Sequence, residues 1–481
     1  MKKIFAILTL VVTIGFVGCE DFLEEAPLLT QSSDITLSTY NGLNNTIAGA
    51  YSPLVSLNWY GSFFVLNAEM RAGNAIIPSN TDFNSNRMTV PHDLAYNATT
   101  TSGLWGWAYY VISMANNVLN NLEGKDVVDV TKQDLDNLKA EALFLRALSH
   151  FDLVRLYALP YSKNPNGLGV PIILYTDETA SEQPLRNTVA EVYEQIIKDL
   201  LEAEKSMDPE YVRGGVTDSK AVATLPAIQA LLSRVYLYSQ QWQLAADYAT
   251  KVINNPNYNL WTADELPGVW GKEVAGSGGE VIFEVYSKKS NEFDAWWEGP
   301  SHMTNPKGYA DCAAHPELIS LYDDDDVRGS LFRTDENNVS GSFWTTKYIG
   351  KGDGDALSTP DANNVIVIRL SEMYLNRAEA LINGASIAGA TALADLNIIR
   401  QNRGASALSS AGADIVFQER RKELAFEGHI WFDYARTNRA LSRTKSDGSL
   451  VSIASDDNRW ALPIPKRELD VNENLIQNDG Y

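Results

Sequence analysis

Residues 138–157 read LKAEALFLRALSHFDLVRLY, with apolar or small side chains at nearly every uncharged position. Residues three and four apart share a helix face. Here the apolar positions cover well over half of the circumference, so the helix must be covered by other helices on several sides. Pro160 stops it, because proline cannot continue a helix, and Ala140, Ala142 and Ala147 let neighbours approach closely.

Two later stretches resemble it. In 226–255 a first helix carries Ile228, Leu231, Leu232, Val235 and Tyr236, a turn follows at Ser239-Gln240-Gln241, and a second, Ala-rich helix runs from Trp242 to Ile253 before Pro256. Ser233, Tyr236, Ala245 and Pro256 fall close to the signature positions of a tetratricopeptide repeat. A further copy spans 366–403, with Leu370, Tyr374, Ala378 and Leu381, a turn at Asn383-Gly384, then Leu393, Leu396 and Ile399. Stacked helix pairs, each burying its face on the next, are the physical reading. Additional helices are expected over 38–57, 101–122 and 189–207, the second of them holding Trp105 and Trp107 in its core face. The fold class is thus mainly α, a scaffold of tetratricopeptide-like pairs over about 38–255 and 366–403. The insert 256–365 separates the copies, which is unlike a simple solenoid. It contains one alternating strand, EVIFEVY at 280–286, and the loop DAWWEGP at 294–300. A C-terminal helical segment and tail fill about 412–481.

The N-terminus reads as a targeting segment. Lys2 and Lys3 precede the apolar run 4–16, which is too short to span a bilayer and right for a signal peptide over 1–18. Gly18-Cys19 then places a cysteine where a lipoprotein signal is cleaved, so Cys19 is the expected lipid-attachment residue and 19–481 the mature chain. Glu20, Asp21, Glu24 and Glu25 follow it and resemble an export signal to the cell surface. Cys312 is the second of two cysteines, so no disulfide framework is expected. The formal charge of −22 over 481 residues argues against nucleic acid or acidic lipid as a partner. Aromatics are abundant, with 11 Trp and 22 Tyr; exposed aromatic rings are what sugar rings stack on.

The rival chemistries are weakly supported. Five histidines are scattered without metal-ligand spacing. No phosphate-binding Gly-rich loop or G-x-S-x-G nucleophile motif occurs. Asp323–Asp326 offers oxygen ligands for calcium but lacks the EF-hand pattern and reads as a solvated acidic turn. Arg420, Glu423 and Glu427 lie at helical spacing and read as a buried ion network rather than acid–base machinery. No cofactor or metal is indicated, and no catalytic residue.

Taken together, the lipoprotein cysteine, AEALFLRALSHFDLVRLY, LLSRVYLYSQQWQLAADYATKVI, IRLSEMYLNRAEAL, ERRKELAFEGHIWFDYAR and the ending from Pro463 through Gln477-Asn478 to Tyr481 resemble the SusD/RagB family of outer-membrane nutrient-binding lipoproteins. Asp479 departs from the proline usual in the family's ending. The resemblance implies a non-enzymatic, lipid-anchored protein at the outer-membrane surface. Its partner would be a SusC-like TonB-dependent transporter, and its ligand an oligosaccharide or polysaccharide. A peptide-binding member of the same family, or a protein-interaction scaffold, is the alternative. Because the family's ligand site varies, the residues must propose it. Sugars need aromatic faces for their C–H surface and Asn, Asp, Arg or Gln for their hydroxyl rim. Trp59-Tyr60 with the 80–84 loop, and Trp296-Trp297 with Tyr309, have that chemistry. The expected ligand-binding residues are Trp296, Trp297, Phe83 and Asp82, followed by Asn80 and Tyr309; the opposing possibility is that these aromatics pack loop against loop. If Cys19 carries the lipid, Cys19→Ser abolishes incorporation of labelled palmitate in the native host, and the protein leaves the membrane fraction.

Overall fold

The computed structural model describes residues 36–78, 87–101, 103–122, 130–176, 183–216, 219–270, 279–287, 298–335, 341–350 and 362–481. Cys19, Asn80, Asp82, Phe83, Trp296 and Trp297 lie outside these residues.

The main helices are α1 (Tyr40–Tyr51), α2 (Phe63–Ala72), α3 (Leu104–Leu122), α4 (Lys132–Tyr157), α5 (Val189–Ser206), α6 (Leu225–Tyr238), α7 (Trp242–Ile253), α8 (Leu370–Ile382), α9 (Ala392–Asn402), α10 (Ala413–Glu423), α11 (Ile430–Arg436) and α12 (Lys466–Val471). Short strands are β1 (Ala75–Ile76), β2 (Val281–Val285), β3 (Ala313–Ala314), β4 (Phe332–Thr334), β5 (Phe343–Thr345), β6 (Val365–Arg369), β7 (Leu441–Thr444) and β8 (Leu450–Ile453). The protein is mainly helical, as the spacing of its apolar residues predicts.

Helix α4 contains the 138–157 stretch and is buried at every position from Leu138 to Tyr157 except Lys139. It begins earlier than its apolar run suggests. Thr131 and Asp134 form a reciprocal capping box in which each side chain accepts the other's backbone N–H, satisfying two donors that a helix start leaves open. Thr188 and Glu191 do the same for α5. From α3 onward, consecutive helices pack on one another: α3 on α4, α4 on α5, α5 on α6, α6 on α7, and α8 on α9. Helix α7 packs directly on α8. The copies interrupted in sequence by the 256–365 insert are therefore neighbours in space, and the stack is continuous. The insert leaves and rejoins at one antiparallel pair, β2 with β6, which shifts register between Val281 and Glu284. Residues 366–369 thus form strand rather than the start of a helix: Val365-Ile366-Val367-Ile368 is a β-branched run that suits a pleated surface.

Between the helical stack and the insert lies a buried charge network. Arg369, at the end of β6, donates to Glu280 (2.8 Å), to Glu423 (2.7 Å) and to Glu427 (2.7 and 2.9 Å). Arg403, after α9, donates to Glu423 (2.7 Å) and Glu280 (2.8 Å). Arg328 reaches Asp326 (2.7 Å), Glu419 (3.1 Å) and Glu423 (3.1 Å), and Lys347 reaches Glu427 (2.5 Å). Glu423 and Glu427 do not share a helix, as their spacing suggested. Helix α10 ends at Glu423, and the chain turns back through Phe426 (φ 64°) and Gly428 (φ 81°). A Cβ at Gly428 would stand 3.1 Å from Val65 Cα, so a glycine fits where the turn crosses α2. The turn re-aims Glu427 onto the guanidinium that Glu423 also binds. In the acidic run Asp323, Asp324 and Asp325 are exposed, as a solvated turn requires, while Asp326 is buried on Arg328; Asp325 also accepts from Ser406, and Asp323 pairs with Arg400.

The tail closes the other side of α4. Leu462 N donates to Leu156 O (2.8 Å), and Asn478 Nδ2 donates to Tyr157 O (2.8 Å) and Leu462 O (2.6 Å). Arg186 donates to carbonyls of Gly169 (2.7 Å), Leu168 (3.0 Å) and Ile476 (2.9 Å), tying the linker to the tail. Trp105 is core, against Tyr157, but Trp107 is 43% exposed, because it sits on the α3 face that no other helix covers. Among the described residues no helix is long and apolar enough to cross a membrane.

Burial alone would raise the Glu423 carboxyl, but Arg403, Arg369 and Arg328 hold it well below the usual range. Burial is likewise overcome at Glu427 by Arg369 and Lys347, and at Asp433 by Arg420 and Arg436. Depressed carboxyls contribute stability above their unfolded pKa and lose it as pH falls through the folded one. The thermal midpoint is therefore expected to fall as pH drops below about 4.5, the unfolded glutamate range. Glu423→Gln, which removes the one carboxylate that Arg369, Arg403 and Arg328 share, should cost about 3–5 kcal/mol at pH 7 in denaturant melts and flatten that acid dependence.

Candidate functional site

The two stretches whose chemistry suits a sugar, 79–86 and 288–297, are followed immediately by Arg87 and Glu298. These two residues meet. Arg87 Nε donates to Glu298 Oε1 at 2.8 Å, and its Nη1 lies 3.4 Å from Asp311 Oδ2. The guanidinium carbon stands 4.0 Å above the Tyr309 ring. Burial would lower the Arg87 pKa, but the Glu298 and Asp311 carboxylates more than offset it, so the charge is firmly held. A cation in contact with two carboxylates and an aromatic face is a clamp, and this one joins residues 211 positions apart.

The clamp rests on a four-stranded antiparallel sheet in the order β1-β3-β5-β4. β1 leads into the 79–86 stretch and pairs with β3 in the register Ala75↔Ala314 and Ile76↔Ala313. β3 begins two residues after Asp311. Beneath it, Trp344 of β5 is fully buried against Ala310, Ala313 and Ile76. Tyr309 is aimed by a tight turn: its N–H donates to His302 O (2.8 Å), and Gly308 N donates to Asn305 O (2.9 Å). A Cβ at Gly308 would stand 2.3 Å from the His302 carbonyl oxygen, so this approach requires glycine.

Tyr309 is half-buried. Arg87 covers one face of its ring, and the His302 ring lies 5.7 Å away at 49°. Trp59 and Tyr60 do not belong to this surface. Both are buried, and Trp59 Nε1 and Tyr60 Oη each donate to Asp152 Oδ2 at 2.7 Å. They fill the core beside Arg155, which pairs with Asp152 and lies over the Phe151 ring at 4.3 Å. A buried carboxylate needs donors, and these two aromatics supply them. The residues that sequence reasoning passed over are Arg87, Glu298 and Asp311. Their signal was opposite charges bounding two polar, aromatic stretches.

Two family sequence models match this chain: one described as starch-binding and associating with the outer membrane over residues 21–237, and one described as the SusD family over residues 328–481. A solved SusD superfamily protein from Bacteroides thetaiotaomicron is 30% identical and superimposes with a TM-score of 0.81 over 92% of this chain and 99% of its own. The chain belongs to the SusD family. SusD-like protein P2 of Formosa agariphila is 26% identical over the full length of both chains. The starch-binding protein SusD of B. thetaiotaomicron is 24% identical over 78% of each. Within the SusD scaffold seen here, Arg87 and Glu298, which directly follow the two candidate ligand stretches, meet beside the four-stranded sheet. Arg87→Ala should leave the thermal midpoint nearly unchanged, since the Arg87–Glu298 pair is partly exposed. It should speed amide hydrogen exchange at Tyr309 and Asp311, measured by mass spectrometry.

Proposed function

We propose that this protein is a lipid-anchored receptor at the outer-membrane surface that binds an oligosaccharide or polysaccharide. It passes the ligand, without turnover, to a SusC-like TonB-dependent transporter. The observation that carries the reading is the Arg87–Glu298–Tyr309 clamp. It brings together the residues that directly follow two stretches which between them contain Asn80, Asp82, Phe83, Trp296 and Trp297. Those residue types supply both an aromatic surface and a hydrogen-bonding rim, which is what a pyranose requires. Family membership supports the same reading, because one relative is a starch-binding protein and one matching family model is described as associating with the outer membrane. In this reading the chain is cleaved before Cys19 and tethered by the acidic segment that follows. The tetratricopeptide-like stack then serves as the rigid body that carries the binding face.

The test is calorimetry on a soluble form beginning after Cys19, titrated with plant, host and microbial oligosaccharides. At least one class should bind without product formation. Trp296→Ala or Trp297→Ala should weaken that binding by about 1–3 kcal/mol, the range for losing one stacked ring. Binding of peptides in place of every glycan would overturn the ligand class, and appearance of cleaved glycan would overturn the non-catalytic role.

A further inference from the structure

A second hollow lies away from the clamp, among the helices. It measures about 500 Å³ and is walled by the C-terminal half of α3, the N-terminal half of α4 and the outer face of α5, with Leu174 and Tyr175 at one side. That volume falls in the range of about 300–1,000 Å³ that small-ligand sites occupy. Its floor is apolar, from Leu119, Leu135 and Leu143. Its walls carry ion pairs already made within the protein. Arg146 binds Asp199 through two hydrogen bonds of 2.8 and 2.7 Å, Lys139 binds Glu202 at 2.7 Å, and Lys132 binds Asp136.

This arrangement discriminates between ligand classes. A ligand bringing a full charge to Arg146, Lys139, Lys132 or their carboxylates would have to compete with an existing pair, and breaking a buried one such as Arg146–Asp199 is costly. An uncharged ligand need break nothing. Each paired carboxylate keeps unused lone pairs and each ammonium keeps unused N–H groups, so neighbouring hydroxyls can donate to the one and accept from the other. Two further groups are unspent. The Asn120 amide has no hydrogen-bond partner, and the Lys198 ammonium has no ion pair within 4 Å, among the described residues. Burial raises the neighbouring Asp199 carboxyl, and Arg146, Gln195 and, least of all, Lys198 offset only part of that. At the rim, Tyr175 is 75% exposed, more than any other large hydrophobic side chain described. A solvent-facing ring beside a hollow of alternating donors and acceptors suits a face of C–H groups edged with hydroxyls.

We propose that this hollow between α3, α4 and α5 is a second binding site, for a neutral saccharide of one or two rings, separate from the clamp site. The test uses the soluble protein and saturation-transfer NMR with maltose, cellobiose, laminaribiose, xylobiose and mannobiose, against glycylglycine and glucuronate as charged probes. At least one neutral disaccharide should bind in the millimolar range and more tightly than either charged probe. Tyr175→Ala and Asn120→Ala, both at partly or fully exposed positions, should weaken it about tenfold with an unchanged thermal midpoint. Trp296→Ala and Arg87→Ala should leave it intact, which separates this site from the receptor site whatever the fate of that reading. Absence of binding by all five disaccharides, preference for a charged probe, or insensitivity to both Tyr175→Ala and Asn120→Ala would each overturn it.

Discussion

Glu423 is the point at which the fold is made single. Its carboxylate accepts from Arg369, Arg403 and Arg328, which arrive from the end of a strand, the end of a helix and a turn of the insert. None of these charges is exposed, so each must be matched or the burial is ruinous. An apolar contact tolerates a shift of an ångström; a guanidinium shared among three carboxylates does not. The network therefore fixes the insert against the stack, and with it the small sheet whose strands bound the clamp. The placement of the clamp is inherited from a salt-bridge geometry well inside the molecule.

The helical stack was legible because its helices announce themselves locally. The apolar spacing of 138–157, and the small residue, tyrosine, turn and proline of 226–255, are short-range patterns that short-range physics produces. What escaped was non-local. That β6 pairs with β2 rather than opening α8 depends on a partner some eighty residues upstream. That Glu427 leaves the helix of Glu423 depends on a left-handed turn crossing α2, where Val65 leaves room for no side chain. Residue spacing reports helix faces only as far as the helix continues.

The candidate site shows the same division. Trp59-Tyr60 and Trp296-Trp297 look alike as sequence, aromatic dipeptides beside glycine. The first pair is core because Asp152, 93 positions from Trp59, needs its indole N–H. Nothing near residue 59 encodes that demand. Arg87 and Glu298 were individually unremarked charges, and only the approach of two segments distant in sequence makes them a pair. Composition supplied the aromatic and polar residue types; topology alone decides which of the described ones, such as Arg87, Glu298 and Tyr309, come together.

The pinning of α4 by the tail bears on the order in which the molecule can form. The carbonyls of Leu156 and Tyr157 receive their partners from Leu462 and Asn478. Arg369 and Glu280 pair with each other, but Arg369 gains its Glu423 and Glu427 contacts only when the 419–428 segment is in place. The N-terminal helices can stack early, but their most buried member stays unsealed until the final residues of the chain are made. Contacts of such long sequence separation delay closure. A chain made only as far as the insert therefore leaves the Leu156 and Tyr157 carbonyls without these partners, and the seal on α4 waits for the segment 462–478.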